Sequence, residues 1–358
     1  MLPALFFLKI DSMKNVYVLT ILLLGLLAAE VRAGNPDRQG EAGAYELLMN
    51  PWARSAGLHT MTTSMISGVE AMRLNVAGIG QINKLQVYAS HALYLQGTDI
   101  SMSAGGASFR LGKNGALALT LMSLDFGDIP VTTTALPEGT GSTFSPNFLN
   151  IGIGYAHTFA EKISVGFLVR AVSESLADLN SFGIALDAGV QYRTGNFKFG
   201  VSLRNIGTRM KFSGEALGEQ TSIQGNDGPT QLTFDRRNAG FDLPSTLNIG
   251  MSYDFLLGER NRITVLGNFT ANSFSRDQIG GGIEYAFDRY VELRAGYKVD
   301  MGSGEEFEAP IYTGLALGAS LGIPLSKRNR DSRLSIDYAY RTTRVWDGTH
   351  NFGLRFDL

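Results

Sequence analysis

The sequence predicts an all-β protein: a closed transmembrane antiparallel β-barrel of about fourteen strands, preceded by a short, partly helical N-terminal plug segment. Three observations indicate this fold class. Long segments alternate apolar and polar residues with a period of two, short and long connections alternate between them, and the chain ends on an amphipathic strand. The predicted organisation is a signal peptide over residues 1–33, an N-terminal periplasmic or plug segment over 34–82, and the barrel over 83–358.

The composition excludes several classes of protein. Hydrophobic residues make up 44% of the 358 residues, and a mean hydropathy of +0.02 is too low for a helical membrane protein. The formal net charge of −2 gives no electrostatic basis for binding nucleic acid. Without cysteine the chain has neither a disulfide framework nor a thiolate zinc site, and its four histidines share no ligand spacing. We therefore expect no metal and no cofactor.

The first element, residues 1–33, is predicted to be a signal peptide whose true start is Met13. Lys14 precedes an apolar run over residues 16–29, and Val31 and Ala33 suit cleavage after Ala33. The alternative is an uncleaved membrane anchor, but the run is short for a membrane-spanning helix, which needs roughly 20 residues. An exported barrel of this kind is expected in the bacterial outer membrane.

The second element, residues 34–82, has helix-like apolar spacing at Tyr45, Leu47, Leu48 and Trp52 and shows no strand pattern. It is too polar to face lipid. We expect residues 43–82 to plug the barrel, with Arg54 and Arg73 meeting carboxylates of the lumen. A disordered periplasmic tail is the alternative.

The barrel follows as segments of about 10 to 13 residues, a length suited to crossing a bilayer at a tilt. In one segment Val291, Leu293 and Ala295 alternate with Glu292 and Arg294. Residues 314–322 form another, with leucines on one face and small residues on the other, because their apolar run is too short for a membrane helix. The predicted strand centres are Val87, Ser103, Leu119, Ile153, Phe167, Ala188, Val201, Met251, Val265, Ile283, Ala295, Ala319, Asp337 and Leu354.

The connections alternate in length, as they must when an even-stranded barrel turns tightly in the periplasm and loops out at the cell surface. The predicted tight turns are 112–115, 160–162, 194–196, 258–261 and 287–289. The predicted long connections are 124–147, 173–182, 207–243, 300–312 and 343–348. This pattern places both termini in the periplasm.

The end of the chain supports the same reading. Phe352, Leu354, Phe356 and Leu358 share one face, an arrangement that resembles the C-terminal insertion signal of bacterial outer-membrane barrels. Many glycines fall on the inward phase of the strands, where small residues leave lumen space or admit a plug. These glycines are Gly152, Gly154, Gly189, Gly200, Gly250, Gly280, Gly282, Gly318 and Gly322.

Enzymatic motifs are weak. Residues 107–114 partly match a phosphate-binding loop, but Ala107 replaces the first glycine and Asn114 replaces the residue that would hold magnesium. Inward charges are better explained as compensating groups of a hydrated lumen than as acid/base pairs, so we expect no enzymatic activity. These charges are Arg170, Asp187, Arg193, Lys198, Arg204, Asp254, Glu284, Glu292, Arg294, Lys298, Asp337 and Arg341.

Three stretches resemble a known family. Residues 43–58, "GAYELLMNPWARSAGL", residues 74–79, "LNVAGI", and residues 182–212 are similar to the PorV/PorQ group of Bacteroidetes outer-membrane proteins, relatives of the FadL-type fatty-acid transporters. The resemblance extends from about residue 43 to the end of the chain. It implies a fourteen-stranded barrel and a role in the type IX secretion system. The implied partners are the translocon barrel, the surface attachment complex and the C-terminal signal domains of secreted cargo.

Two functions from different classes remain open. The first is a scaffold that binds cargo through its outer loops and carries it from the translocon to the attachment complex. The second is a FadL-like transporter of hydrophobic solutes such as long-chain fatty acids. A fatty-acid path should be lined by apolar inward residues, so the inward charges favour the scaffold.

The predicted cargo site lies in the loops 124–147 and 207–243, which are longer than a hairpin requires. Both loops carry apolar residues, which suggests an exposed patch for protein contact. A lid folded over the barrel mouth is the alternative. The predicted contact residues are Phe126, Ile129, Pro130, Leu136, Phe144, Met210, Phe212, Leu232, Phe234 and Phe241.

Overall fold

The computed structural model of the protein describes residues 38–358, except 39, 226–227, 289, 303–309 and 326–331. The predicted signal peptide, residues 1–33, lies outside the described residues. Among the residues that are described, no helix is both long and apolar enough to cross a membrane.

Fourteen strands close into one antiparallel barrel in chain order, and the last pairs with the first through His91 and Phe352 among others. Closure leaves no open sheet edge, which a lipid environment requires. Every predicted strand centre lies inside an observed barrel strand, so the fold class is confirmed. The barrel strands are β1 Leu85–Leu93, β2 Ser101–Leu111, β3 Gly115–Asp125, β6 Asn147–Phe159, β7 Ile163–Leu176, β8 Leu179–Thr194, β9 Phe197–Gly207, β12 Thr246–Leu257, β13 Asn261–Asn272, β14 Gln278–Phe287, β15 Val291–Asp300, β16 Tyr312–Pro324, β17 Arg333–Thr343 and β18 Thr349–Asp357. Two small hairpins in the loops supply β4 Ile129–Pro130, β5 Thr143–Phe144, β10 Gly218–Gly225 and β11 Gly228–Asp235.

The predicted alternation sets the two faces of the wall. Leu293 and Leu317 are about half exposed on the outside, whereas Arg294 beside Leu293 is buried inside. Aromatic side chains cluster outside near the tight turns, as the interfacial girdle of an outer-membrane barrel does. They are Tyr155, Phe159, Phe197, Tyr253, Phe255 and Phe287. The apolar belt and the closed sheet place the protein in the bacterial outer membrane.

The long connections and the tight turns lie at opposite rims, here called the outer rim and the inner rim. One predicted long connection, 173–182, is wrong. β7 and β8 continue to Leu176 and Leu179 and are joined by a two-residue turn in which Ala177 has a φ of 50°. The outward residues Ser173, Ser175 and Asn180 are polar because this hairpin extends beyond the bilayer. In the sequence, that polarity is the same as that of a loop.

The N-terminal segment fills the barrel and supplies most of its core. It contains single helical turns at Tyr45–Leu47, Gly68–Glu70 and Val76–Gln81 and two short helices, α1 Ala53–Ala56 and α2 Ala71–Leu74. Its apolar side chains pack on inward residues of the wall. In one cluster Trp52 and Val69 meet Tyr88 and Met102, and in another Met72 and Ile79 meet Ala118 and Leu168. We call residues 45–82 the plug.

The chain threads the barrel from the outer rim to the inner rim. Gly43 donates from its backbone N–H to the carbonyl of Asp242 in the long loop 208–245, at 3.1 Å. At the other end Lys84 donates to the carbonyl of Leu358, at 3.0 Å. Leu358 lies at the inner rim as predicted, but residues 40–44 lie at the outer rim rather than in the periplasm. Hydrophobic periodicity does not encode the direction in which a plug runs, so this placement could not be predicted from the residues.

Candidate functional site: the plug and two vestibules

Side chains of the wall hold the plug mainly by hydrogen bonds to the plug's backbone carbonyls. Gln191 donates to the carbonyls of Thr63 and Ile66 at 3.1 and 3.0 Å, and Ser202 donates to that of Leu74 at 2.7 Å. On the opposite wall, Asn351 donates to the carbonyl of Pro51 at 2.8 Å. The plug has little regular structure and therefore few internal partners for its carbonyls. Inward side chains of the strands satisfy them instead.

Asn75 fixes the plug to the wall from the plug side. Its amide nitrogen donates to the carbonyls of Thr63 and Val190, at 2.9 and 3.1 Å, and its oxygen accepts from the backbone N–H of Ala77 at 3.2 Å. This residue belongs to the "LNVAGI" stretch. Opposite it lies Gly189, where a β-carbon would be 2.0 Å from the Asn75 oxygen. Only glycine leaves room for this contact.

Two other inward glycines also make room for the plug's backbone. A β-carbon at Gly200 would lie 2.5 Å from the Thr63 carbonyl oxygen, and one at Gly318 would lie 2.9 Å from the Cα of Gly57. Backbone therefore packs directly against backbone where the plug touches the wall. The small inward face of residues 314–322 accommodates α1 and does not line an empty lumen.

A buried ion-pair network joins α1 to the wall. Arg54 contacts Glu70 at 3.2 Å and Glu292 at 3.6 Å, and Arg294 contacts Glu284 at 2.8 Å. Burial lowers the pKa of Arg54, but the nearby carboxylates outweigh burial and hold this pKa well above its usual value. Arg54 thus meets lumen carboxylates as predicted.

Arg73 does not. Its guanidinium donates to the carbonyls of Glu46 and Met49 inside the plug, and burial lowers its pKa. The prediction that Arg73 meets lumen carboxylates was wrong, because the sequence could not show that the plug's own backbone needs this donor.

A cavity of about 330 Å³, the outer vestibule, opens above the plug on the outer side. The plug lines it with Tyr45, Leu48 and Met49, and the ends of β12 and β13 line it with polar side chains such as Asn248 and Thr270. Its lining also contains Arg204, Lys298 and Arg341, and none of the described lining residues is a carboxylate. The vestibule is therefore apolar on one side and positively charged on the other.

The three cations of the outer vestibule differ in the number of partners they have within the protein. Arg204 donates to the carbonyl of Leu47 at 3.0 Å, and Arg341 donates to that of Asn50 at 3.3 Å and lies over the Tyr312 ring. Lys298 forms no hydrogen bond or ion pair with any described residue. Lys298 is the cation most available to a ligand.

His59 adds a buried polar group to the same cavity. It is 3% exposed, both ring nitrogens lack hydrogen-bond partners among the described residues, and the ring meets Tyr312 edge-on at 5.5 Å. Burial lowers the pKa of His59 well below its usual value, and the charges of Lys298 and Arg341 lower it further. His59 is therefore neutral at pH 7 and can donate or accept one hydrogen bond at a ligand.

A second cavity of about 370 Å³, the inner vestibule, lies at the inner rim. Arg54, Arg333 and Arg355 line it together with Asp357 and Gln86. Asp357 contacts Arg333 at 3.1 Å and accepts from Gln86 at 2.7 Å. The two vestibules share no lining residue, and the plug lies between them.

The ten predicted loop residues fall into two groups. Met210 is fully buried against Leu47 and Leu243, and Phe241 packs beside it. Phe212 meets Phe241 at 5.8 Å, Phe126 meets Phe148 of the wall at 4.9 Å, and Phe144 is half-buried. These five are buried or half-buried. The exposed group is Ile129, Pro130, Leu136, Leu232 and Phe234.

The vestibules were not predicted from the sequence. The inward phase of Arg204, Lys298 and Arg341 was correct, and the signal for a site would have been that inward cations gather toward the outer ends of their strands. That signal has no meaning until the depth of the plug is known.

No family model matches the chain, and no curated protein matches it. Several solved structures match the chain. The P. putida toluene transporter TodX shares 14% identity over 86% of this chain and 96% of its own, with a TM-score of 0.53. The Ralstonia pickettii toluene transporter TbuX shares 12% over 86% and 97%, with a TM-score of 0.52. The CymD monoaromatic hydrocarbon channel shares 15% over 86% and 96%, with a TM-score of 0.51.

At these identities the likeness is one of fold. The chain shares the fold of these proteins, and its fourteen antiparallel strands close around an internal N-terminal plug. The closer resemblance to the PorV/PorQ group stays a prediction.

Proposed function

We propose that the protein is an outer-membrane passage for hydrophobic solutes, and that its outer vestibule receives an amphiphile with an acidic head group, such as a long-chain fatty acid. One observation carries this proposal: the vestibule has an apolar plug face opposite cations that no lining carboxylate neutralises. Two toluene transporters and a monoaromatic hydrocarbon channel share the fold, which supports a hydrophobic solute.

The charge of Lys298 explains why the head group should be acidic. An ammonium group in a partly apolar cavity loses hydration, and a carboxylate that binds it offsets this loss with a charge-assisted hydrogen bond. The apolar part of the ligand would pack on Leu48 and Met49. A plain hydrocarbon would leave Lys298 without a partner.

The inward charges no longer favour the scaffold over the transporter. Most of them bind the plug or one another: Arg170 contacts Asp187 at 3.2 Å and donates to the Met72 carbonyl at 2.7 Å. These charges hold the plug in place. They therefore do not indicate which solute the barrel would transport once the plug moves.

The test is binding of oleate and of oleyl alcohol to purified protein in a non-ionic detergent. We expect Lys298→Met to weaken oleate binding by about tenfold or more, since a hydrogen bond to a charged group contributes about 1.5–3 kcal/mol. Binding of oleyl alcohol should not change. The control is Lys211→Met, which removes an exposed loop lysine. Equal oleate affinity in both variants would contradict the assignment of the head group.

A second candidate function is the cargo scaffold of a type IX secretion system. Its support is the hairpin β10–β11, which pairs Thr221 with Leu232 and Glu219 with Phe234 and so gathers Ile223, Leu232 and Phe234 on one face. All three side chains are about half exposed. An exposed apolar face at the outer rim suits contact with another protein. The proposed partners are the C-terminal domains of secreted cargo, the translocon barrel and the attachment-complex proteins.

Substitutions on the two faces of the hairpin test this candidate. Leu232→Ser with Phe234→Ser should abolish capture of a secreted C-terminal domain while the barrel still assembles. Gln231→Ser with Thr233→Ser changes the opposite, polar face and should leave capture intact. If both variants capture cargo as the native protein does, the hairpin is not the cargo site.

A further inference from the structure

Two buried carboxyl groups lie at the outer end of the plug, where Ala44 and Leu47 pack on Val172 of β7. Glu46 belongs to the helical turn Tyr45–Leu47 and is 1% exposed, and Glu174 near the end of β7 is 3% exposed. Neither forms an ion pair with a described residue within 4.0 Å. Two carboxyl groups cannot both ionise in such a place without a large loss of hydration and mutual repulsion.

The surrounding guanidinium groups bind backbone carbonyls or another carboxylate. Arg73 of α2 donates to the carbonyls of Glu46 and Met49, and Arg204 of β9 donates to that of Leu47. Arg170, four residues before Glu174 on the same face of β7, is bonded to Asp187 and to the Met72 carbonyl. The groups that face Glu46 are therefore the carboxyl of Glu174 and the more weakly acting guanidinium of Arg73.

Glu46 directly follows a segment that crosses the outer rim. We call residues 40–44, together with Arg38, the strap. Arg38 contacts Asp242 at 3.5 Å and lies over the ring of Phe274 at 4.3 Å, and Gly43 bonds to the Asp242 carbonyl. On the plug side, Tyr45 and Leu48 line the outer vestibule. Glu46 thus joins the strap to the vestibule wall.

We propose that Glu46 and Glu174 form a proton-operated latch that holds the strap and its helical turn across the outer vestibule while the two carboxyl groups share a proton, and releases them when both ionise. The latch regulates access to the vestibule, and in that consequence it rests on the proposed function. Its mechanics do not depend on which ligand binds. Because the site lies at the outer face, the pH outside the cell operates it.

The direction of the response follows from the acidity of the pair. Burial, with the charge of Glu174, raises the pKa of Glu46 to about 8 in the attached state, whereas a solvated glutamate has its ordinary value near 4.5. Between these values the attached state binds one more proton than the released state. The attachment constant should therefore fall about tenfold per pH unit as the pH rises through this window, and should level off above it.

The chain contains no cysteine, so a single introduced cysteine can report on the strap. A nitroxide on Glu41→Cys, an exposed strap position, measures strap mobility by electron paramagnetic resonance in ligand-free protein between pH 5 and pH 9. We expect an immobile label at pH 5 and a growing mobile fraction toward pH 8. Added Glu46→Gln, which keeps the shape but cannot ionise, should hold the label immobile throughout.

Two further variants complete the test. Glu174→Gln removes the charge that helps to raise the pKa of Glu46, so it should narrow the transition and leave a smaller mobile fraction at pH 8. Glu219→Gln, in the exposed hairpin, should leave the transition unchanged. Heat-modifiable gel migration confirms that each variant forms the barrel. A label whose mobility ignores pH in the native background, or that shows the same transition in Glu46→Gln, would overturn the latch. Oleate binding is measured separately, so loss of the proposed ligand would leave this result standing.

Discussion

At the scale of single residues, the inward side chains act mainly on the plug's backbone. Arg170, Arg204 and Arg341 each donate to a plug carbonyl, although charge patterning alone assigns them to a hydrated lumen. Residue type and strand phase were predictable because they follow from the period of two. The hydrogen-bond partners of these side chains were not predictable. Which plug carbonyls lack a partner within the plug depends on the folded backbone, and the residue types do not show it.

Gly189 gives the sharpest test at this scale. Gly189→Ala places a methyl group 2.0 Å from the Asn75 oxygen and must displace the side chain that ties "LNVAGI" to β8. We expect a loss of about 1–3 kcal/mol in unfolding free energy, the range for overpacking a tight contact. Urea unfolding in detergent, followed by gel migration, measures it. Gly267→Ala is the control, since its nearest neighbour would be 3.9 Å away, and an equal loss there would refute the contact as the cause.

At the scale of elements, strands were predicted more completely than connections. A strand facing lipid on one side must alternate, so all fourteen are visible in the sequence. The β7–β8 hairpin was misread because above the bilayer its outward face is free to be polar, and Ser173 and Asn180 then look like loop residues. The short turns of the plug carry no comparable pattern, since burial on all sides removes the polar face that makes a helix visible.

The phase of β16 predicts opposite mechanisms at neighbouring positions. Leu317→Arg puts a charge on the lipid face and should cost roughly 2–4 kcal/mol near the bilayer midplane. Gly318→Arg instead drives a side chain into Gly57 of the plug, and should disturb the plug while the strand stays inserted. Barrel insertion into liposomes measures the first effect, and protease sensitivity of residues 45–82 measures the second. Equal behaviour at both positions would refute the assigned faces.

At the scale of the whole molecule, the core lies between the plug and the barrel wall. The large buried side chains, Trp52, Met72 and Tyr88 among them, lie at the plug-wall contact. The barrel and the plug were each predicted from the sequence. The position of the plug inside the barrel decides where the vestibules lie, and the sequence does not show that position. The outer vestibule lies where Leu48 and Met49 of the plug face residues near the ends of β12, β13 and β15.

Removing the plug tests this arrangement directly. Deletion of residues 43–75 takes away α1, α2 and the backbone that Gln191, Ser202 and Asn351 satisfy, and leaves an inward face of glycines and polar side chains that water can solvate. We expect single-channel conductance in planar bilayers to be low for the intact protein and to rise on deletion to that of a steady pore. Replacing residues 218–235 by a short turn is the control, because it shortens the outer hairpin and leaves the plug in place. A wide, steady pore in the intact protein, or a folded deletion variant that conducts no better, would show that the plug does not close the barrel.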